Sequence, residues 1–100
     1  MPRAIRDGVV IAESDKTVMI EGNRYFPPNS VNWDYLRENN SATVCPWKGI
    51  ASYYDVVIDG KVIGSAGWTY HASSNAATRI RDYVAFYKRV AFFGKVKIEG

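Results

Sequence analysis

One hundred residues and 11.2 kDa make one domain, residues 1–100, with no room for a second core. A content of 47% hydrophobic, 14% aromatic and 23% charged residues is that of a folded globule. One cysteine (Cys45) and one histidine (His71) exclude an internal disulfide and a Cys/His zinc site, and no apolar run reaches the ~18 residues of a membrane span. The formal net charge of +3 is uneven, since residues 79–100 hold six Lys/Arg against Asp82 and Glu99 while residues 1–78 hold seven against eight.

Asp7-Gly8 is a turn pair, and the β-branched run Val9-Val10-Ile11 behind it predicts a strand. Ser14-Asp15-Lys16 breaks the pattern, and Thr17–Ile20 alternates again, so the two runs are expected to form a hairpin. Glu21-Gly22-Asn23 signals a second turn before Arg24-Tyr25-Phe26. Pro27-Pro28 ends that strand by removing two ladder donors. Asn29 or Ser30 then caps a short helix or 3₁₀ turn over about Val31–Glu38, which Asn39-Asn40-Ser41 break. Ala51–Ile58 alternates as a strand, with Tyr53, Asp55 and Val57 on one face and Tyr54, Val56 and Ile58 on the other. Asp59-Gly60 is the strongest hairpin signal, because both central positions of a type I′ turn need positive φ. Lys61-Val62-Ile63 returns antiparallel, and a further strand covers about Ala66–Tyr70. Ser73 or Ser74 caps a helix whose stripe is Ala77, Ile80, Val84 and Tyr87, although Tyr83–Tyr87 also satisfies a strand. Lys95–Ile98 reads as an edge strand with its lysines outward. The expected fold is mainly β (α+β): a small domain of two antiparallel sheets with one or two short helices.

The stretch Thr43–Tyr54 concentrates the chemistry, with a thiol, a proline, an indole, an ammonium, a glycine and two phenols between two strands. Gly49 permits a close turn, and Lys48 stands ready to meet an anion and to depress a neighbouring thiol or phenol. Cys45 is either a small buried hydrophobe or a nucleophile. Its helper in the second case would be His71, in a Ser-rich loop with no evident orienting acid. Tyr53 and Tyr54 point to opposite faces, so one lines a site and the other packs. A second cluster is Glu21, Asn23 and Tyr25, with Glu21 placed to pair with Lys48 or Arg24. Trp68 and Tyr70 share a strand face and either floor a planar ligand or fill the core. The basic end, with Tyr83, Phe86, Tyr87, Phe92 and Phe93, has the composition of a nucleic-acid binder, yet its spacing suits a core with a solvated face, and nucleic acid is disfavoured.

Several segments together resemble the domain of unknown function 427 family. They are Val9–Ser14, Glu21–Pro28, Thr43–Gly49, Ala51–Tyr54, Ala66–Tyr70 and Ile80–Tyr87, spanning nearly the whole chain, and the run Cys45-Pro46-Trp47-Lys48-Gly49-Ile50-Ala51-Ser52-Tyr53 is the most specific. The resemblance implies a β-rich, β-tent-like fold. It also carries a nucleotidyltransferase-like label, which the sequence does not match: neither a metal-binding carboxylate pair nor a triphosphate cradle is visible. The family often has prolines after the position of Tyr70, where this chain reads His71-Ala72-Ser73-Ser74.

The expected function is a small-molecule binding module, with catalysis as an extension. Tyr25, Lys48, Tyr53, Trp68 and Tyr70 would line the pocket, with Glu21 and Asn23 at the rim and Cys45 behind. An aromatic wall with one ammonium suits a planar or anionic ligand. Lys48, Cys45 and Tyr53 are the candidate catalytic residues; no metal or cofactor is called for. The alternative is a structural or protein-interaction domain without small-molecule chemistry. A cytoplasmic monomer or homodimer, away from membranes, fits either.

Overall fold

The computed structural model describes residues 1–88 and 94–100. Arg89, Phe92 and Phe93, weighed above for nucleic acid, lie outside the described residues. The described chain is mainly β. Its strands are β1 (Arg3–Arg6), β2 (Val9–Glu13), β3 (Val18–Ile20), β4 (Asn23–Tyr25), β5 (Leu36–Cys45), β6 (Gly49–Ile58), β7 (Lys61–Thr69), β8 (Val84–Phe86) and β9 (Lys97–Glu99). Short 3₁₀ segments occupy Pro28–Ser30, Trp33–Tyr35 and Asn75–Ile80. No described helix is long and apolar enough to cross a membrane.

The hydrogen-bonded ladders make three antiparallel sheets rather than the two expected: β2-β1-β9, β3-β4 and β5-β6-β7-β8. Three two-residue turns with positive φ at both positions set the hairpins. Asp7-Gly8 joins β1 to β2, Glu21-Gly22 joins β3 to β4, and Asp59-Gly60 joins β6 to β7. The first hairpin therefore differs from the expected one. Val9–Ile11 pairs backward with β1, and Thr17–Ile20 supplies β3, which pairs forward with β4. Lys97–Glu99 closes antiparallel onto β1, Arg3 facing Glu99 across the ladder.

Four further expectations are corrected. The helix over Val31–Glu38 is only the 3₁₀ turn Trp33–Tyr35, capped by the Asn32 side chain accepting from the Asp34 N–H at 3.2 Å, and Leu36 already starts β5. Asn39-Asn40-Ser41 does not end the chain's course but makes an irregularity inside β5. The Asn39 side chain accepts from the Ser41 N–H (2.8 Å) and donates across the sheet to Asp55 (2.7 Å) and Ser65 (3.0 Å). The helix from Ser73 or Ser74 is a 3₁₀ segment ending at Ile80; Asp82, at φ 64°, turns the chain so that Val84 enters β8. Lys61–Ile63 and Ala66–Tyr70 are parts of one run, β7, which reaches Thr69.

The four-stranded sheet carries a core on each face. On one, Tyr54, Val56, Ile58, Ile63, Ala66 and Phe86 pack against Ala4, Ile11 and Ala12 of the three-stranded sheet. On the other, Ala51, Trp68 and Ala85 pack under Ile20 and Tyr25 of the β3-β4 ribbon and Ala77 and Ile80 of the 3₁₀ segment. Phe26 and Val84 exchange backbone bonds of 2.8 and 2.9 Å, tying the ribbon to β8. The chemistry lies on this second face.

Candidate functional site

The turn Cys45–Gly49 joins β5 to β6 at the edge of the second core. Gly49 has φ 113°, and a Cβ there would stand 2.9 Å from the Ala72 carbonyl oxygen, so the loop after β7 lies directly against the turn. Ser74 fastens it, its N–H donating to the Lys48 carbonyl (3.0 Å) and its hydroxyl to the Trp47 carbonyl. With both sides held, the Lys48 side chain turns inward and is 9% exposed.

A buried ammonium requires a partner, and Glu21 supplies it. This carboxylate stands on the Glu21-Gly22 turn, at φ 53°, and is 54% exposed. The Lys48 ammonium also sits 5.1 Å from the centre of the Trp47 ring and 5.6 Å from that of Tyr70. Burial alone presses the Lys48 pKa down, but the bond to Glu21 and the neighbouring Tyr25 and Tyr70 oxygens outweigh it and leave the pKa raised. The same bond, against a smaller effect of burial, holds the Glu21 carboxyl below its ordinary range. The pair is ionised at neutral pH.

The phenols are packed more tightly than an open pocket wall. Tyr25 is fully buried, and Tyr70 and Trp68 are 5% and 8% exposed. The Trp68 indole N–H donates to the Tyr25 hydroxyl at 3.2 Å, with the rings nearly perpendicular at 6.3 Å. Tyr87 lies 4.8 Å from Trp68. Burial raises the Tyr25 phenol and pushes that of Tyr70 up to about 12, with Lys48 pulling the other way. Tyr53 is half-buried and shares a 2.7 Å bond with the Thr43 hydroxyl. Cys45 packs against the same core. Burial pushes its thiol up, but the Lys48 and Trp47 N–H groups directed at the sulfur and the Lys48 charge more than offset this, leaving the thiol below its ordinary pKa.

Glu21, Tyr25, Cys45, Lys48, Tyr53, Trp68 and Tyr70 therefore meet around one core. Asn23 does not join them; it lines a separate cavity of about 190 Å³ with Met19, Arg24, Phe86 and Lys88. Sequence reasoning undervalued Trp47 and Tyr87. A Trp beside a buried Lys was the available signal for the first; nothing local marks the second.

His71 departs from expectation most. Its Nδ1 bonds Asp82 at 2.9 Å and its Nε2 bonds Glu38 at 2.7 Å, so it has two orienting acids rather than none. With both ring nitrogens so engaged it is no partner for Cys45. The acids bond opposite nitrogens, so the three groups do not converge on one point, and among the described residues no three of His, Cys, Asp and Glu are placed to hold a metal. The Tyr54 hydroxyl stands 3.5 Å from Nε2; burial, then Glu38 and Asp82, push that phenol up to about 12.

No curated protein matches the chain. A family model described as Domain of unknown function (DUF427), which also bears a nucleotidyltransferase label, matches residues 2–99 and so takes in the Lys48 cluster and the His71 clamp together. The chain belongs to this family, whose description assigns neither group a role.

Proposed function

We propose that the Lys48 cluster binds a small anionic ligand carrying a planar group, and that Glu21 occupies the anion's place in the free protein. One observation supports this above the others: the nearly buried Lys48 ammonium is neutralised by a carboxylate that itself stands half in water. An exposed carboxylate on a turn loses little by rotating into solvent, whereas the ammonium cannot remain unpaired. A ligand oxyanion that takes its place meets the ammonium with the Trp47 and Tyr70 rings close by. If the ligand is also a substrate, Cys45, its thiol lowered by the turn's N–H groups, is the nucleophile and Tyr53 the proton donor. A reducing cytoplasmic setting keeps that thiol free. The same reading takes the fold as β-tent-like, with the three- and four-stranded sheets leaning together over the shared core.

A thermal-shift screen against aromatic carboxylates, nucleotides and sugar phosphates tests it. A ligand at a hundred times its Kd adds about 2.7 kcal/mol, readily seen as a melting shift. We expect the hit to vanish in Lys48→Met and to strengthen in Glu21→Gln, where competition is gone. A flat screen on Glu21→Gln, or an undiminished hit in Lys48→Met, refutes the proposal.

One observation favours a protein-interaction domain instead. Val44, Trp47 and Ile50 are exposed at 77%, 39% and 57% near the end of one hairpin, with Val44 and Ile50 facing each other across the ladder. Under that reading Lys48→Met changes no ligand response and Val44→Lys abolishes partner capture.

A further inference from the structure

The Asp7-Gly8 turn and the chain at residues 95–97 wall a cavity of about 290 Å³, lined by Ile5, Arg6, Asp7, Gly8, Lys95 and Lys97. Three of these six are cations. The Lys95 ammonium donates to the Gly64 carbonyl and lies 5.8 Å from the centre of the Tyr87 ring, and neither group neutralises it. Arg6 donates from Nη1 to the Lys95 carbonyl at 2.9 Å. Its Nε is buried with no hydrogen-bond partner among the described residues. An Asp7 carboxylate oxygen stands off at 3.4 Å.

Acids around the cavity are shared out thinly. Asp7 also faces Lys61 at 3.7 Å. Glu99 serves Arg3 (2.8 Å) and Lys97 (3.2 Å), and Glu13 lies 3.7 Å from Arg3. Five cations thus meet three carboxylates, a surplus of two positive charges. Asp55 also feels Lys95, but it feels Arg37 more strongly, and counting that acid with that cation leaves the surplus at two.

We propose that this cleft binds a dianionic phosphate monoester, independently of the Lys48 cluster. The surplus matches a dianion, and an Arg fork with two lysines is the donor set that oxyanions of this shape select. Asp7, whose side chain is 48% exposed, swings aside, and the phosphate gives Arg6 Nε the acceptor it lacks. Gly8 leaves open space on the turn beside it, and Ile5 offers an apolar contact for the ester's carbon chain. A phosphodiester carries one charge per phosphate and matches the surplus less well.

The test is a ¹H–¹⁵N NMR titration with glycerol 3-phosphate at pH 7.5, where the second phosphate proton is lost. We expect saturable shifts at Arg6, Asp7, Gly8 and Lys97. Affinity should fall about tenfold in Lys97→Gln and vanish in Arg6→Gln, since each removes a charge-assisted bond. Lys97 is exposed, so its variant folds whatever becomes of Arg6→Gln. Arg24→Gln, on the cavity it shares with Asn23, should bind as the parent does. Shifts that do not saturate, or that ignore Lys97→Gln, overturn the proposal. Tighter binding of a short oligothymidylate than of glycerol 3-phosphate overturns it in favour of a phosphodiester backbone.

Discussion

Lys48 and Glu21 are unequal partners, and the inequality is measurable. Removing the buried charge leaves an exposed carboxylate that water solvates; removing the carboxylate leaves an ammonium in the core. Lys48→Met should melt at or above the parent temperature, and Glu21→Ala clearly below it; the reverse order would show that the ammonium is not effectively buried. Tyr25→Phe is a second such case. It strands the Trp68 indole N–H in the core and should cost about 1–3 kcal/mol in denaturant unfolding. His71 gives a pH signature. The bond to Asp82, then that to Glu38, lift its pKa above the ordinary 6.5 against an opposing effect of burial. A folded-state pKa above the unfolded one contributes stability that is complete below 6.5 and lost as pH rises through the folded value. The parent should therefore out-melt His71→Gln at pH 6 and the gap should close at higher pH; a gap that widens with pH would contradict the clamp.

At the scale of elements, the loop between β7 and β8 is the piece on which the second core depends. Ala77 and Ile80 are fully buried beneath it, and its N-terminal end rests on Gly49. Ile80→Ala should cost about 2–5 kcal/mol by chemical denaturation, the range for a large aliphatic truncated in a core. Gly49→Ala forces a left-handed backbone on a side chain and drives a methyl into the Ala72 carbonyl; lower stability with faster amide exchange at Ala77 and Ile80 is the expected result. The Asp59-Gly60 hairpin was legible because a positive-φ pair announces itself; Asp7-Gly8 and Glu21-Gly22 were legible as turns, but not which strands they pair. This loop was not. Ala77, Ile80 and Val84 share a helical spacing, but Asp82 reverses the chain and delivers Val84 to a sheet instead. Asn39 misled in the opposite sense, since its turn chemistry is spent on Asp55 and Ser65 across the strands.

For the whole molecule, the candidate site is built from contributors far apart in the chain. Glu21 and Lys48 come from the turns of two different hairpins and Tyr70 from just past β7, and Glu38, His71 and Asp82 come from three separate segments. Residue types and the Cys45–Tyr53 run pointed to the first group; Lys48 was one of two partners open to Glu21, the other being Arg24. The second group was invisible, because nothing near His71 in sequence foretells that Glu38 and Asp82 reach opposite sides of one ring.

The ladder between β1 and β9 joins residues 96 positions apart, the Arg3 guanidinium meeting Glu99 at 2.8 Å. Closing so long a loop comes late and slowly, since its entropy is lost before any contact rewards it. On the ribosome, the β5–β6 and β6–β7 hairpins can form while β1 still presents a bare edge. That edge stays open to mispairing until residue 99 leaves the exit tunnel. The strand that seals β1 is thus the last of the described strands to emerge.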